Sequence, residues 1–282
     1  MQITMNNHND KAYEKLFGEH IQDIFCFSFT PWFERKLWDE YYESYSVIEN
    51  DKMIANICIF KTDMRVQGKP FYALQFGGVS VRKEERGRGL SRLLMEHILA
   101  KYQNVPMFLG ANSSVTEFYQ RFGFRPVQTY YPKIQAVIDN SKCDTIKLNP
   151  DDHKIKQAIQ NRTMHSNILD SLNTQSIQMF HLLLDFSDAI YYLPGHDTIV
   201  VAEQKEDKLL IADVIARKPI SFGILQKELP FKAVQCVEFG FCPDWLGVTP
   251  QWEPIDMAQE PYFILGEWDL PEQFRFPIMA ET

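Results

Sequence analysis

Residues 79–94, VSVRKEERGRGLSRLL, limit what this chain can fold into more than any other stretch. An apolar run of strand character ends at Val81. Glycines follow at Gly87 and Gly89, and a run with apolar residues at helical spacing opens directly after them. A strand that feeds a glycine turn opening a helix aims several unpaired backbone N–H groups, and the positive end of the helix dipole, at one point. Such a junction receives phosphate, and Arg86 and Arg88 add positive charge beside it. Two phosphate loops are excluded by spacing. No Lys-Ser or Lys-Thr follows the glycines, and Arg92 stands where a dinucleotide fingerprint needs its third glycine.

The residues around this junction define a layered unit. Apolar residues recur at three and four over residues 10–25, which predicts a helix, and a second helical stretch follows Pro31. The period then changes to two, giving a hairpin over residues 45–60 with its turn at 49–52, and another strand over 71–81 interrupted by Gly77-Gly78. Paired glycines inside a strand signal a bulge or a close approach by other backbone. A helix over 91–101, a short strand over 105–109, a helix over 113–121 and a strand over 124–127 complete the first half. The order describes a mixed, mostly antiparallel sheet flanked by helices, an α+β fold with α/β character.

Periodicity fades between residues 137 and 152, so two domains are expected, 1–140 and 141–282. Beyond that point come helices near 153–164 and 175–186, strands over 189–193, 198–203 and 208–215, a helix over 221–229 and strands over 233–239 and 262–265. Hairpin strands, helix, strand: the order of the first half returns without visible repetition of residues.

Charge restricts the partners. Residues 1–140 hold 17 Lys and Arg against 16 Asp and Glu, and residues 141–282 hold 12 against 21. This balance argues against sequence-independent nucleic-acid binding, which needs clustered cations on phosphates. No apolar run approaches the length of a membrane span, and there is no secretion signal. Cys26, Cys58, Cys143, Cys236 and Cys242 form an odd set without C-x-x-C or histidine partners at ligand spacing. They read as reduced thiols of a cytoplasmic protein that needs no metal.

Taken together, "VSVRKEERGRGLSRLLMEHIL" resembles the acetyl-CoA-binding motif of the GNAT superfamily of N-acetyltransferases: Val-x-Val closing a strand, Arg-x-x-Gly-x-Gly/Ala, then an amphipathic helix. About twenty residues on, "FLGANSSVTEFYQRFGFRPV" resembles the family's strand-helix segment ending in Tyr-x-x-x-Gly-Phe, supplied by Tyr119, Gly123 and Phe124. Ser91 departs from the usual small Gly/Ala but keeps the backbone accessible.

The resemblance implies a GNAT fold that binds acetyl-CoA as co-substrate. The pantetheine arm would run along Val79, Ser80 and Val81, and the pyrophosphate would sit on Arg86, Gly87, Arg88, Gly89, Leu90, Ser91 and Arg92, with Asn112 bonding the arm. Asn112 equally fits an ordinary helix N-cap. The Val81 N–H would hold the oxyanion, and Tyr119 would protonate the departing thiolate. Many relatives place a glutamate on the strand before Val-x-Val, where this chain has Gln75.

The second half reads as a degenerate copy, since its turn "IARKPISFGIL" lacks the glycines and Pro219 removes a donor. Tandem relatives of the enhanced-intracellular-survival type use a C-terminal carboxylate as base, here that of Thr282. Asp244, Trp245, Trp252, Glu267 and Trp268 read as core and surface residues before they read as the wall of an amine pocket. The expected activity is N-acetylation of a small-molecule amine, and homo-oligomers are compatible with it. The alternative is a non-enzymatic acyl-CoA sensor on the same fold.

Overall fold

The computed structural model of this chain describes residues 2–6, 10–138 and 144–282; Cys143 and the division placed at residue 140 lie outside them. The architecture is two mixed sheets with helices packed against their faces.

The first sheet begins with β1 (Ile3–Asn6). Helix α1 (Lys11–Phe25) follows because Asp10 caps it, its carboxylate accepting from the Ala12 and Tyr13 amides. The buried face of α1, Tyr13, Phe17 and Ile21, meets Trp32 from the short α2 (Thr30–Glu34) and Trp38 in one aromatic cluster. β2 (Tyr42–Glu49) and β3 (Lys52–Val66) are joined by Asn50 and Asp51, both at positive φ, the geometry of a tight hairpin turn. β4 (Lys69–Val81) pairs antiparallel with β3. Helix α3 (Leu90–Lys101) crosses over to β5 (Met107–Gly110), which pairs parallel with β4. Leu90, Leu94 and Ile98 of α3 bury against Tyr45, Ile57, Leu74 and Leu109.

The expected helix over 113–121 is instead a single 3-10 turn, Ser113–Val115, followed by the five-residue α4 (Thr116–Gln120). The Asn112 side chain accepts the Ser114 amide and closes the first turn tightly. β6 (Arg125–Val127) follows, and β7 (Tyr130–Gln135) ends the first half.

The second half contributes β8 (Ile146–Leu148), α5 (His153–Gln160), β9 (Leu169–Ser171) and α6 (Gln175–Leu184). It continues with β10 (Ile190–Leu193), β11 (Thr198–Lys205), β12 (Lys208–Ala216) and α7 (Phe222–Glu228). β13 (Cys236–Phe239), β14 (Gln251–Pro254) and β15 (Tyr262–Leu265) complete it.

Sheet membership does not follow the halves. The first sheet runs β1-β2-β3-β4-β5-β15-β6, so the last strand of the chain lies between β5 and β6. The second runs β14-β7-β13-β12-β11-β10-β8, so β7 of the first half lies between β13 and β14. In each sheet a parallel pair with a helical crossover, β4 with β5 and β12 with β13, is followed by a strand lent by the other half. β9 adds to the far end of β3. The topological repeat expected from the sequence is present, and the halves exchange one strand reciprocally.

Candidate active site

The site grows from a fault in the first sheet. β4 and β5 pair only at Leu74 with Met107 and Gln75 with Phe108. On its other edge β4 changes register against β3 between Asn56 and Cys58. This bulge is where Gly77 and Gly78 sit. Gly78 adopts φ +55, and a Cβ there would stand 3.3 Å from Cys58 Sγ. Its carbonyl accepts from Asn56 Nδ2 at 3.2 Å, and Ser44 Oγ donates to Asn56 Oδ1 at 2.5 Å, so a buried polar network pins the bend.

Past the bulge β4 leaves β5 and opens a gap. The Arg82 amide bonds the Ile54 carbonyl of β3. Because successive amides of a strand alternate between its edges, the Val81 amide points the other way, into the gap. Ser80 faces α1: the buried His20 ring donates from Nδ1 to the Met53 carbonyl and accepts the Ser80 hydroxyl at Nε2, 2.9 Å away. Burial, with Arg82 nearby, lowers the His20 pKa to about 4 and keeps this ring neutral. Ser80 therefore offers the gap its backbone, while its hydroxyl is engaged.

One cleft, of about 830 Å³, brings together Val79, Ser80 and Val81 of β4 with the turn and first helical residues Arg86, Gly87, Gly89, Leu90, Ser91 and Arg92. Gly87 and Gly89 have φ +82 and +76 with open space around them, so backbone conformation rather than crowding requires glycine. The first amides of α3 lack intrahelical partners and open on this cleft, as an anion site requires. The Arg88 side chain is committed elsewhere. It pairs with Glu49 at 2.9 Å and with Glu85, which together raise its pKa, and it does not line the cleft.

Asn112 and Tyr119 wall the same cleft. Asn112 Oδ1 accepts from both the Ser114 amide and hydroxyl, the capping role that the sequence allowed, and its amide nitrogen is left over. Tyr119 is buried among Phe118, Phe124 and Phe263, its hydroxyl has no protein partner among the described residues, and burial pushes it up to about 12.

A second cavity, of about 310 Å³, continues along the same two chain segments. It is lined on β4 by Gln75, four residues before Val79, and at the end of β5 by Gly110 and Ala111, immediately before Asn112. Its remaining wall comes from the end of the chain. A Cβ on Gly77 would lie 2.7 Å from the Thr282 backbone carbon and oxygen, so residue 77 must be glycine for Thr282 to reach β4. The Glu281 carboxyl accepts the Tyr262 hydroxyl of β15. Burial, reinforced by the nearby Glu260, pushes the Glu281 pKa up to about 8. Glu281 and Arg275 carry no sequence signal, since isolated polar residues in an irregular C-terminal stretch have no periodicity, and Tyr262 is legible only as the start of a strand. The strand exchange that delivers β15 is what brings them here.

None of the five residues considered as an amine-pocket wall lines either cavity. Trp268 packs on Phe71, Phe108 and Phe276, Trp245 on Phe241, and Asp244 accepts from Ser166 and Asn167. Glu84 and Glu85 pair with Lys52 and Arg88, as befits solvated surface acids.

Residues 10–127 match a family model described as the acetyltransferase (GNAT) domain. No curated protein matches the chain. Among solved structures, Eis1 from Mycobacterium abscessus aligns over 93% of this chain and 73% of its own, at 14% identity and TM-score 0.55. A GCN5-related N-acetyltransferase from Anabaena variabilis aligns over 93% and 72%, at 14% identity and TM-score 0.53. A protein from Pyrococcus horikoshii aligns over 99% and 96%, at 11% identity and TM-score 0.51. At such identities these are likenesses of fold, and they extend across both sheets. Residues 10–127 are thus similar to the acetyltransferase (GNAT) domain, and the whole chain is similar in fold to these structures.

Proposed function

We propose that the protein transfers the acetyl group of acetyl-CoA to a small-molecule amine by direct attack of the amine on the thioester. The observation that carries this reading is one cleft that gathers the backbone of residues 79–81, the first residues of α3 and Tyr119, with a second cavity lined by the neighbouring stretches of the same two strands, Gln75 and Gly110-Ala111. The cleft with the helix amides and Tyr119 suits the co-substrate, and the smaller cavity beside Gly77 suits the acceptor. Acetyl-CoA, once bound, supplies the activated carbonyl and a thiolate leaving group.

The protein's part is positional and electrostatic. The amides of residues 87–92 hold the pyrophosphate, and the backbone of residues 79–81 holds the pantetheine arm. The Val81 amide, aimed into the gap, donates to the oxygen on which charge develops. Tyr119 stays protonated at neutral pH, because burial disfavours its phenolate, and donates a hydrogen bond to the departing sulfur. The amine must be neutral to attack, and its proton passes to a carboxylate at the end of the chain. In a chain ending at Thr282 the terminal carboxylate stands against Gly77 and serves as that base. The second half supplies β15 and the cavity wall and no second co-substrate site: its corresponding turn contains Pro219, and α7 spans only Phe222–Glu228.

The test is thiol release from acetyl-CoA by the purified chain across a broad amine panel. Amine-dependent release with acetylated product is expected. Tight acetyl-CoA binding without turnover on any amine would replace the enzyme reading with a sensor.

A further inference from the structure

The smaller cavity contains polar groups that the protein leaves unpaired. Gln75 is 2% exposed, and its Oε1 has no partner. Arg275 Nε and Nη1 and Thr282 Oγ1 are likewise buried and unpartnered among the described residues. All three residues line this one cavity. Each such group costs about 1–3 kcal/mol while unsatisfied, which a ligand that satisfies it returns.

Arg275 is the most informative of the three. Its backbone is fixed on both sides of the peptide: its amide lies 3.3 Å from Cys242 Sγ, and its carbonyl accepts from the same sulfur at 3.4 Å. Its guanidinium lies over the Tyr131 ring at 4.6 Å, and its Nε and Nη1 meet no carboxylate among the described residues. Yet carboxyls line the same cavity. Glu260 accepts the Tyr131 hydroxyl at 2.6 Å, and Glu281 accepts that of Tyr262. A guanidinium cannot shed its proton to escape burial, so it keeps a positive charge facing a site built for an amine. With carboxyls and a guanidinium on one wall, such a cavity suits a substrate of both signs. Its volume of about 310 Å³ stands at the small end of ligand pockets, which fits the same class.

We infer that the acceptor is an amine that also carries a carboxylate, an amino acid or a molecule of that class, with Arg275 holding the carboxylate and Gln75 Oε1 accepting from the amine. This rests on the acetyl-transfer reading for its chemistry, and on the unpaired groups alone for its ligand. Gln75 occupies the last β4 position paired with β5. A carboxamide there receives the amine without adding a charge.

The experiment compares the common amino acids with their methyl esters, by thiol release and by calorimetric binding, on the full chain and on Arg275→Gln and Arg275→Lys. Acids should be preferred roughly 10- to 100-fold over esters, even though esterification leaves more of the amine neutral. Arg275→Gln should raise the acceptor KM by that factor, leave the KM for acetyl-CoA unchanged and abolish the preference, and Arg275→Lys should restore part of it. Carboxylate-dependent binding without turnover in any acid would support the inference while removing the acetyl-transfer reading. Esters or polyamines used as well as acids, or equal binding of acid and ester, overturn it.

Discussion

Tyr119 and Gly77 show how differently single residues serve this site. In the proposed reaction Tyr119 acts through its hydroxyl, which makes no hydrogen bond among the described residues, on a side chain that lines the cleft. Tyr119→Phe keeps the ring packing and should lower kcat roughly 10- to 100-fold, with the KM for acetyl-CoA nearly unchanged in steady-state kinetics. Gly77 acts by having no side chain. Gly77→Val drives a branched side chain into the Thr282 backbone and should destabilise by about 1–3 kcal/mol, measured by denaturant unfolding, with loss of turnover. Gly87→Ala meets no atoms and costs only the left-handed conformation, roughly 1–2 kcal/mol, so its effect should fall on the KM for acetyl-CoA.

Glu281 adds a pH dependence. Its folded pKa, about 8, lies above the ordinary value of 4.5. Between those values the folded chain binds a proton that the unfolded chain releases, so stability falls as pH rises from about 4.5 to 8. Glu281→Gln removes this term and should flatten that decline in urea unfolding measured across the range. An unchanged pH profile would refute the assignment.

Among the elements, the bulge of β4 decides where chemistry can occur. Asn56 is fully buried and ties the Gly78 carbonyl to Ser44, and through Ser44 to Tyr13 of α1. Asn56→Ala removes one donor to that carbonyl, which the Ser80 hydroxyl also approaches at 2.9 Å, and removes the buried acceptor of Ser44 Oγ; it should cost about 1–3 kcal/mol, with faster hydrogen exchange at the amides of residues 79–81. The sequence announced this element well. Gly77-Gly78 marked the bulge, Gly87 and Gly89 marked the turn, and alternating or helical spacing located β2, β4, β5 and α3 closely, while β3 runs on to Val66, past the expected end at 60. What it could not announce was the wall opposite. β7 and β14 are short and half-exposed, so alternation is weak, and Gln75, Arg275 and Glu281 gain meaning only from neighbours distant in the chain. The strand over residues 262–265 was legible as a strand, but its partners were not, because pairing with β5 and β6 leaves no mark on local periodicity.

For the whole molecule, reciprocal strand exchange makes the halves interdependent. Without residues beyond 140 the first sheet loses β15 between β5 and β6 and also β9, and without β7 the second loses the link between β13 and β14. Residues 1–140 alone should therefore fail to bind acetyl-CoA, and the full chain should unfold in one calorimetric transition, with two separated transitions counting against the interdependence. Phe276 of the C-terminal stretch stacks on Phe108 of β5 and on Tyr262 of β15, joining the two contributions at the acceptor cavity. Among the described residues no helix is long and apolar enough to cross a membrane.

The central claim is that the gap between β4 and β5 is where acetyl-CoA meets its acceptor. A crystal structure with bound CoA tests it most directly. The pyrophosphate is expected on the amides of residues 87–92 and the sulfur in the gap between the Val81 amide and the Tyr119 hydroxyl, facing Gln75 and Thr282. CoA seated away from the gap, or no saturable binding of acetyl-CoA at millimolar concentration, would contradict it.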